Sequence, residues 1–419
     1  MLIVERASKV IRTHPRLFIS FLATAAIGLS VAFFSNMSMM SIVWTFPYFS
    51  GAANFNTLFH WQISPSDYAF AQQLNDFDYR QYIHKASVDT VDYSLNSYGY
   101  VLIALVSRIL FASFGDIQGV IIFQVIVHAL ICLFLCAYVI DGVKSRLLFI
   151  FLYAANPLVI YFVTFPFYYF WLSLPSACLA TLILRPDWAS RVVLVSTPLL
   201  LLSLLIRPTT IVLCVLFYVI AWMRIPVRRR FLCAIAFLLF VAGVVIFSHS
   251  NPRIAPYHTM YVGLGAYRND VGVHSLSDGE GFRYFTGETN IAISTNPIDG
   301  NWGTPELMGS YNEIILDRYL RVVSSRPILV FRNALLSLGQ VFSVGYIVKS
   351  PFLSLLSSIS GFFVLLFLLL RKQFVWVVAI LSSALAFFWY FPPIPAYNFA
   401  AYLLLICGLL CALKPASQA

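Results

Sequence analysis

Long apolar runs dominate the sequence, and they constrain the fold more than any other feature. Many of these runs are roughly 16–22 residues long, which is the length that a helix needs to cross about 30 Å of hydrocarbon. Hydrophobic residues make up 60% of the 419 residues and charged residues only 11%. This composition excludes a soluble globular protein and predicts an all-α polytopic membrane protein.

The positions of the basic residues indicate which apolar runs cross the membrane. If all twelve runs crossed, short loops carrying Arg146, Arg185 and Arg224 would face outward, although such loops favour the cytoplasm. The conflict disappears if two runs with polar residues in their interior lie at the membrane interface. They are 98–115, which contains Arg108, and 328–347, which contains Arg332, Asn333, Ser337 and Gln340. The ten runs that remain as spans are 17–34, 119–140, 147–163, 166–184, 191–206, 209–223, 231–248, 352–370, 373–390 and 397–413.

This topology predicts two large outer regions, each too long to be a simple connector. The predicted order is a cytoplasmic N-terminus (1–16), a first span (17–34), a first periplasmic loop with interfacial helices (35–118), spans 2–7 (119–248), a second periplasmic loop (249–351), spans 8–10 (352–413) and a cytoplasmic tail (414–419). The basic clusters behind the net charge of +10 then serve as topology determinants, so no nucleic-acid partner is predicted.

The cysteines and the N-terminus add two limits on function. All seven cysteines lie inside apolar runs, so neither a disulfide framework nor a cysteine metal site is predicted. The basic N-terminal segment precedes an apolar run that has no clear cleavage site, which indicates a retained signal anchor.

An acidic and aromatic stretch, residues 72–99, follows the first span. Its carboxylates Asp76 and Asp78 would lie at the outer membrane surface, where a carboxylate can act as a general base or as a metal ligand. Helical spacing would place Asp78, Tyr82 and Lys85 on one face. A solvated, ion-paired surface helix is the alternative interpretation of the same pattern.

Arg207 is a charge at the end of an otherwise apolar run, LLSLLIRPTT, where two predicted spans meet on the outer side. A guanidinium can bind a phosphate through two hydrogen bonds, so Arg207 is the main candidate for a lipid-phosphate site. Lys85 and Arg268 are further candidates for phosphate binding. The alternative for Arg207 is an interfacial anchor whose side chain reaches toward the headgroups.

The second outer region combines glycines with polar and aromatic residues. His258, Tyr261, Tyr267 and Asp270 are candidates for binding a sugar or an acceptor, and packing within the loop is the alternative. The glycines 263, 265, 272, 279 and 281 predict tight backbone paths. Further along, Tyr311–Val323 has an amphipathic helical pattern that places Ile315, Tyr319 and Val322, together with Ile314, on one side.

Three local features are also found together in one family of membrane enzymes. They are Asp76-Phe77-Asp78 with Tyr82 in the first outer loop, the segment Ser97–Gly115 before the next span, and Asn156-Pro157 at an outer helix end. In this layout the chain resembles the GT-C class of membrane glycosyltransferases. The resemblance implies a polyprenyl-phosphate-linked sugar donor and a catalytic aspartate in the first loop, a role that falls on Asp78 with Asp76 as the alternate.

The expected activity is therefore an inverting sugar transfer on the periplasmic side of a bacterial inner membrane. The acceptor would be a cell-envelope glycan, such as O-antigen, or a protein. No cofactor is identified, and a divalent metal ion stays an open alternative. An O-antigen polymerase or ligase is a second hypothesis, which the net acidic outer loops disfavour. A transporter is a third, which polar residues lying outside the spans disfavour.

Overall fold

The computed structural model describes residues 15–34, 98–114, 116–247, 256–293, 305–344, 351–385 and 395–414. Every regular element within these ranges is helical, and they contain no strand. The predicted all-α fold class is therefore confirmed. The chain divides into two compact units, the first including residues 98–247 and the second including residues 256–405.

The described part of the first unit contains nine complete α-helices, several of which are prolonged by short segments such as the π segments Leu135–Val139 and Ile150–Ala154. The helices are α1 (Pro15–Phe34), α2 (Tyr98–Phe111), α3 (Asp116–Phe134), α4 (Val143–Phe149), α5 (Pro157–Thr164), α6 (Ser173–Leu184), α7 (Ala189–Ile206), α8 (Ile211–Arg224) and α9 (Arg230–Phe247).

Several helices have the length and composition of membrane spans. Within the described residues, three stretches pass both criteria alone, namely Gln118–Val139, Pro186–Ile206 and Phe352–Leu370, and a bent pair makes a fourth if it is counted as one span. Large apolar side chains such as Val195 and Phe363 are exposed on these stretches, as expected for surfaces that face lipid. The membrane character is thus supported, and the number of ten spans stays a prediction.

The bent pair contains Asn156-Pro157. The two residues lie between Val143–Ala154 and Pro157–Thr164, which meet at 53°, and their place at an outer helix end stays a prediction. Pro157 disfavours a helical conformation for Asn156, which is extended and accepts a hydrogen bond from the Leu158 N–H at 2.9 Å through its side chain. The turn that leads to α6 comes later, around Phe165.

Contacts between neighbouring helices show how the basic residues of the first unit are distributed. Arg185, just before α7, binds Asp141 at 2.5 Å and the carbonyl of Tyr138 at 2.8 Å, both just after α3. The Tyr218 hydroxyl bonds Thr197 at 3.1 Å, because α8 runs back along α7. The start of α7 and the end of α8 therefore lie at one end of the unit, which also carries Lys144, Arg146, Arg191, Arg224 and Arg228–Arg230.

Helix α2 lies across the opposite end of this unit. Near its beginning, Gly99 packs directly against Ile206 at the end of α7, where an added Cβ would come within 2.7 Å of that residue. Near its end, Phe111 contacts Gly119 and Phe123 at the start of α3. Since α3 starts where α7 ends, both ends of α2 contact the same end of the bundle. Its position at a membrane surface stays a prediction.

The second unit contains α10 (Pro256–Gly263), α11 (Gly279–Thr289), α12 (Pro305–Ser325), α13 (Pro327–Val341), α14 (Pro351–Leu370), α15 (Phe374–Ala384) and the first part of α16 (Pro395–Ala412). Helices α10–α12 enclose a hydrophobic core that includes Tyr261, Phe285, Tyr311, Ile315 and Tyr319. The amphipathic pattern in 311–323 is confirmed, and the helix extends beyond it at both ends.

The glycines of this region lie in different kinds of local structure. Gly272 has φ +85°, so a tight backbone path is confirmed there, and Gly265 packs against the carbonyl of Ser275. Gly279 and Gly281, in contrast, lie within α11. The sequence reasoning missed this helix because glycine disfavours helices, whereas packing against α10 and α12 stabilises this one.

Helices α13 and α14 cross at small residues. A Cβ added at Gly361 would come within 1.7 Å of the Gly339 carbonyl, and one at Gly339 within 2.4 Å of the Ser358 carbonyl. The Ser357 hydroxyl donates to Ser343 across the crossing at 2.8 Å. Small residues of this kind allow helix backbones to approach closely in a membrane, where hydrogen bonds between helices add to the packing.

We expect Gly361→Ala to destabilise this crossing by roughly 3 kcal/mol, the upper part of the range for overpacked cores, because backbone atoms block the new methyl group. Thermal unfolding of the detergent-solubilised protein measures the effect. The matched control is Gly309→Ala in α12, whose Cβ meets nothing within 4 Å. Equal unfolding temperatures for the two variants would contradict the close crossing.

Candidate functional site

Arg207 lies at the break between α7 and α8, as the sequence predicted. Pro208 disfavours a helical conformation for the residue before it, and Arg207 is accordingly extended, with φ −150° and ψ 110°. Its N–H still closes the last turn of α7 on the Ser203 carbonyl at 2.9 Å. Thr210 donates to the Arg207 carbonyl through its hydroxyl at 2.9 Å. The backbone that carries the guanidinium is therefore fixed on both sides.

Tyr168 positions the guanidinium itself. Arg207 Nη1 donates to the Tyr168 hydroxyl at 2.8 Å, and the guanidinium carbon lies 5.0 Å from the centre of the tyrosine ring. A cation near an aromatic face is attracted by the ring quadrupole, so both contacts favour one orientation. Tyr168 is buried, which makes it a firm support. Arg207 is half-buried at the end of the unit opposite to Arg185.

Gln124 fixes the segment that carries Tyr168. This fully buried side chain of α3 donates to the carbonyls of Val163 and Phe165, each at 2.8 Å, and accepts from Trp171 Nε1 at 2.9 Å. The Val163 carbonyl belongs to the last turn of α5 and the Phe165 carbonyl to the turn that follows, where the helical hydrogen-bond pattern ends. One side chain therefore satisfies three polar groups and holds both ends of the Phe165–Trp171 segment.

Aromatic rings surround this position. Tyr161, Phe165 and Tyr169 form a column in which neighbouring ring centres are 5.9 and 6.1 Å apart, with interplanar angles of 28° and 22°. Phe167 packs against Tyr168 at 4.2 Å. Tyrosine combines an apolar ring with a polar tip, which suits the zone between lipid tails and water. Arg207 thus lies at an end of the helix bundle that is rich in aromatic rings.

Four of the predicted site residues lie outside the described part of the chain: Asp76, Asp78, Tyr82 and Lys85. Their proposed roles stay predictions. Arg268 lies in the second unit with an exposed side chain, and its carbonyl accepts from Arg332 Nη2 at 2.9 Å. Arg268 also stays a prediction as a phosphate ligand.

The structure corrects two of the predicted sugar-binding residues. Tyr261 is only 3% exposed and Tyr267 only 5%, so neither presents a ring face to a ligand. Tyr261 belongs to the core of α10–α12. The Tyr267 hydroxyl bonds Ser358 at 3.1 Å, and burial raises the pKa of Tyr267 to about 12. Loop packing, the alternative left open by the sequence, describes both residues.

Asp270 is exposed and pairs with Arg326 at 3.1 Å. Both partners are more than half exposed, and such pairs contribute little to stability because water screens them. Asp270 is therefore accessible to an acceptor, and its binding role stays a prediction.

His258 lies in a line of three polar groups, between Asp278 and Tyr311. Its Nε2 is 3.1 Å from the Asp278 carboxylate, and its Nδ1 is 2.5 Å from the Tyr311 hydroxyl. Burial, together with the nearby Asp278 charge, raises the pKa of Tyr311 well above its usual value, so the phenol keeps its proton. His258 Nδ1 therefore shares a hydrogen bond with a protonated phenol, and its Nε2 faces the carboxylate.

This line links a surface carboxylate to a buried core. Phe282 stacks on the His258 ring with centres 5.3 Å apart, and Tyr311 is fully buried. His258 was expected to bind an acceptor, but both of its ring nitrogens bond to neighbours in the loop. The geometry corrects this expectation, since the histidine joins α10 to α12 and to the segment before α11.

No group of three or more His, Cys, Asp or Glu residues within the described ranges is arranged to hold a metal ion. The residues that sequence reasoning missed are Gln124, Tyr168, Asp278 as a histidine partner, and Tyr311. The sequence did contain a signal for Gln124, because a single amide inside an apolar run indicates a specific role in hydrogen bonding.

Comparisons with known proteins do not assign this chain to a family. No family model matches the sequence, and no curated protein or solved structure gives a significant match.

We expect Gly281→Ala to loosen the core of α10–α12, because the new Cβ would come within 2.4 Å of the Tyr311 hydroxyl and 2.8 Å of His258 Nδ1. The expected loss is roughly 1–3 kcal/mol, seen as faster amide hydrogen exchange in α12. Gly287→Ala in the same helix is the control, since its Cβ meets nothing within 4 Å, and it should stabilise α11 by about 0.5–1 kcal/mol. Unchanged exchange in Gly281→Ala would refute the packing of His258 on Tyr311.

Proposed function

We propose that this protein is a polytopic membrane glycosyltransferase. It moves a sugar from a polyprenyl-phosphate donor to a cell-envelope glycan or protein acceptor, and an aspartate of the first outer loop, Asp78 or Asp76, acts as the general base. The proposal includes the topology of ten spans, with the active side on the periplasmic face of a bacterial inner membrane.

The arrangement of Arg207 carries the proposal. An arginine between two apolar helices is costly unless its charge is paired or lies at the membrane surface. Here the guanidinium is oriented by Tyr168, beside a column of aromatic rings, at the end of the bundle opposite to most of the basic residues. A lipid phosphate is an anion that reaches such a position from the bilayer itself.

The geometry suits a leaving group with a long hydrocarbon chain. Arg207 Nη1 is used by Tyr168, and a guanidinium has five N–H donors in a planar fork that matches phosphate oxygens. The apolar surfaces of α7 and α8 end at this point, so a polyprenyl chain would follow them into the bilayer while its phosphate stays at the guanidinium.

The proposed reaction is a single displacement. The aspartate removes the proton from an acceptor hydroxyl, whose oxygen attacks the anomeric carbon of the donor sugar. The bond between that carbon and the phosphate oxygen breaks, and polyprenyl phosphate leaves with the electron pair. Arg207 stabilises the negative charge that develops on the phosphate. The configuration at the anomeric carbon inverts, and the aspartate releases its proton to water.

We expect Asp78→Asn or Asp76→Asn to lower the transfer rate by roughly 10²–10⁴-fold, the range for removing a general base. The measurement is release of polyprenyl phosphate by the reconstituted protein from a panel of polyprenyl-phosphate sugars. The affected position identifies the base, because the isosteric amide removes only the proton acceptor. Wild-type rates in both variants would refute the catalytic role, and sugar-independent passage of lipid or solute would favour a transporter.

We expect Arg207→Lys to weaken donor binding roughly 10- to 100-fold, because hydrogen bonds to a charged group contribute about 1.5–3 kcal/mol and lysine lacks the planar fork. Tyr168→Phe keeps the ring but removes the hydroxyl, so a smaller loss is expected. Arg191→Lys, at the opposite end of α7, is the control. Donor affinity is measured with a labelled polyprenyl phosphate in nanodiscs, and wild-type affinity in Arg207→Lys would exclude this phosphate site.

A further inference from the structure

The turn between α8 and α9 contains an unusual density of arginines. Arg224 ends α8, and Arg228, Arg229 and Arg230 follow within six residues. The first three side chains are exposed and the fourth is half-buried. Among the residues that the structure describes, no carboxylate forms an ion pair with any of the four. Basic residues in a short loop orient the flanking spans, and four arginines in one turn also form a dense cationic surface.

The turn has a defined shape. Ile225 is only 2% exposed and anchors it in the unit, with its N–H bonded to the Ala221 carbonyl at 2.9 Å. Pro226 then directs the chain outward, and its carbonyl accepts from the Arg229 N–H at 2.8 Å to close a single 3₁₀ turn. Arg224 is therefore held on one side of the buried isoleucine and Arg228–Arg230 on the other.

One arginine is fixed further. The guanidinium carbon of Arg230 lies 5.4 Å from the ring centre of Trp222, which belongs to the last turn of α8. Its Nε is buried and makes no hydrogen bond to the described residues. This contact ties the two helices together above the turn and limits the directions in which Arg230 can point.

Large apolar side chains surround the arginines. Val227, at the tip of the turn, is 73% exposed, and Met223 and Phe231 are also mostly exposed. Exposing these apolar side chains to water costs free energy. At a membrane surface they enter the boundary between headgroups and acyl chains, which removes that cost. The mixture of arginine and apolar residues therefore indicates that the turn contacts lipid headgroups.

We propose that this turn is a binding site for an anionic phospholipid whose headgroup carries two phosphates. Arginines on both sides of one buried anchor suit two linked phosphates better than a single one, because each guanidinium can bind a phosphate through two hydrogen bonds. The site lies at the end of the first unit opposite to Arg207. It is therefore separate from the proposed donor site and does not depend on the proposed function.

The test compares two lipids at equal total charge. Purified protein in nanodiscs of phosphatidylethanolamine receives either diphosphatidylglycerol or twice the amount of phosphatidylglycerol, and native mass spectrometry counts the lipid retained. The expected result is preferential retention of the two-phosphate lipid. Equal retention of the two lipids would overturn the proposal.

Two variants separate specific binding from simple charge. The double substitution Arg228→Lys and Arg229→Lys keeps the charge that orients the spans but removes the planar forks, so the preference for two phosphates should disappear. The double substitution Arg228→Gln and Arg229→Gln should weaken retention about five-fold per arginine, as expected for basic residues near an anionic surface. If the lysine variant keeps the full preference, the proposal is overturned.

Two controls complete the experiment. Lys144→Gln removes a cation from another turn at the same end of the unit, so the preference for two phosphates should stay as in the wild type. Soluble pyrophosphate distinguishes a lipid site from a site for a free diphosphate. A lipid held also by its acyl chains should resist this competitor at millimolar concentration, and complete displacement would overturn the assignment to a lipid.

Discussion

Breaks in helices inside the protein expose buried backbone groups that water cannot reach, and satisfying them is the constraint on which the first unit depends. After α5 the chain leaves its helix at Phe165, where Gln124 supplies the missing donors for two carbonyls and accepts from Trp171. An unsatisfied group in hydrocarbon would cost several kcal/mol. The same amide therefore determines where Tyr168 lies, and through Tyr168 the orientation of Arg207.

The second unit also buries polar groups, and it satisfies them by pairing two side chains with each other. The core of α10–α12 buries polar atoms of His258 and Tyr311, and each serves as the partner of the other. Asp278 completes the line at the surface. Gly281 is required beside them, because a larger residue would occupy the space of the hydrogen bond. A hydrogen-bonded pair inside an aromatic core favours one packing arrangement over its competitors.

The parts of the structure that the sequence could predict are those governed by local patterns. Apolar periodicity predicted the helical membrane fold and the buried face of α12, and Pro208 predicted the helix junction at Arg207. The contacts that define the sites were not predictable, because they join residues far apart in the sequence. Tyr168 and Arg207 are 39 residues apart, and His258 and Tyr311 are 53 apart. Neither pair has a spacing that indicates contact, and Gly279–Thr289 became a helix through packing despite its composition.

The arginines at the two ends of α7 have a mechanical consequence. Arg185 is fixed to Asp141 at one end and Arg207 to Tyr168 at the other. Between them lie the 21 residues Pro186–Ile206, which span about 31 Å at about 1.5 Å per residue. This length is close to the roughly 30 Å thickness of a bilayer's hydrocarbon core. Under the proposed topology each cation lies in a headgroup layer, and a thinner bilayer would tilt this unit or thicken around it, so hydrophobic mismatch would couple bilayer thickness to the position of Arg207.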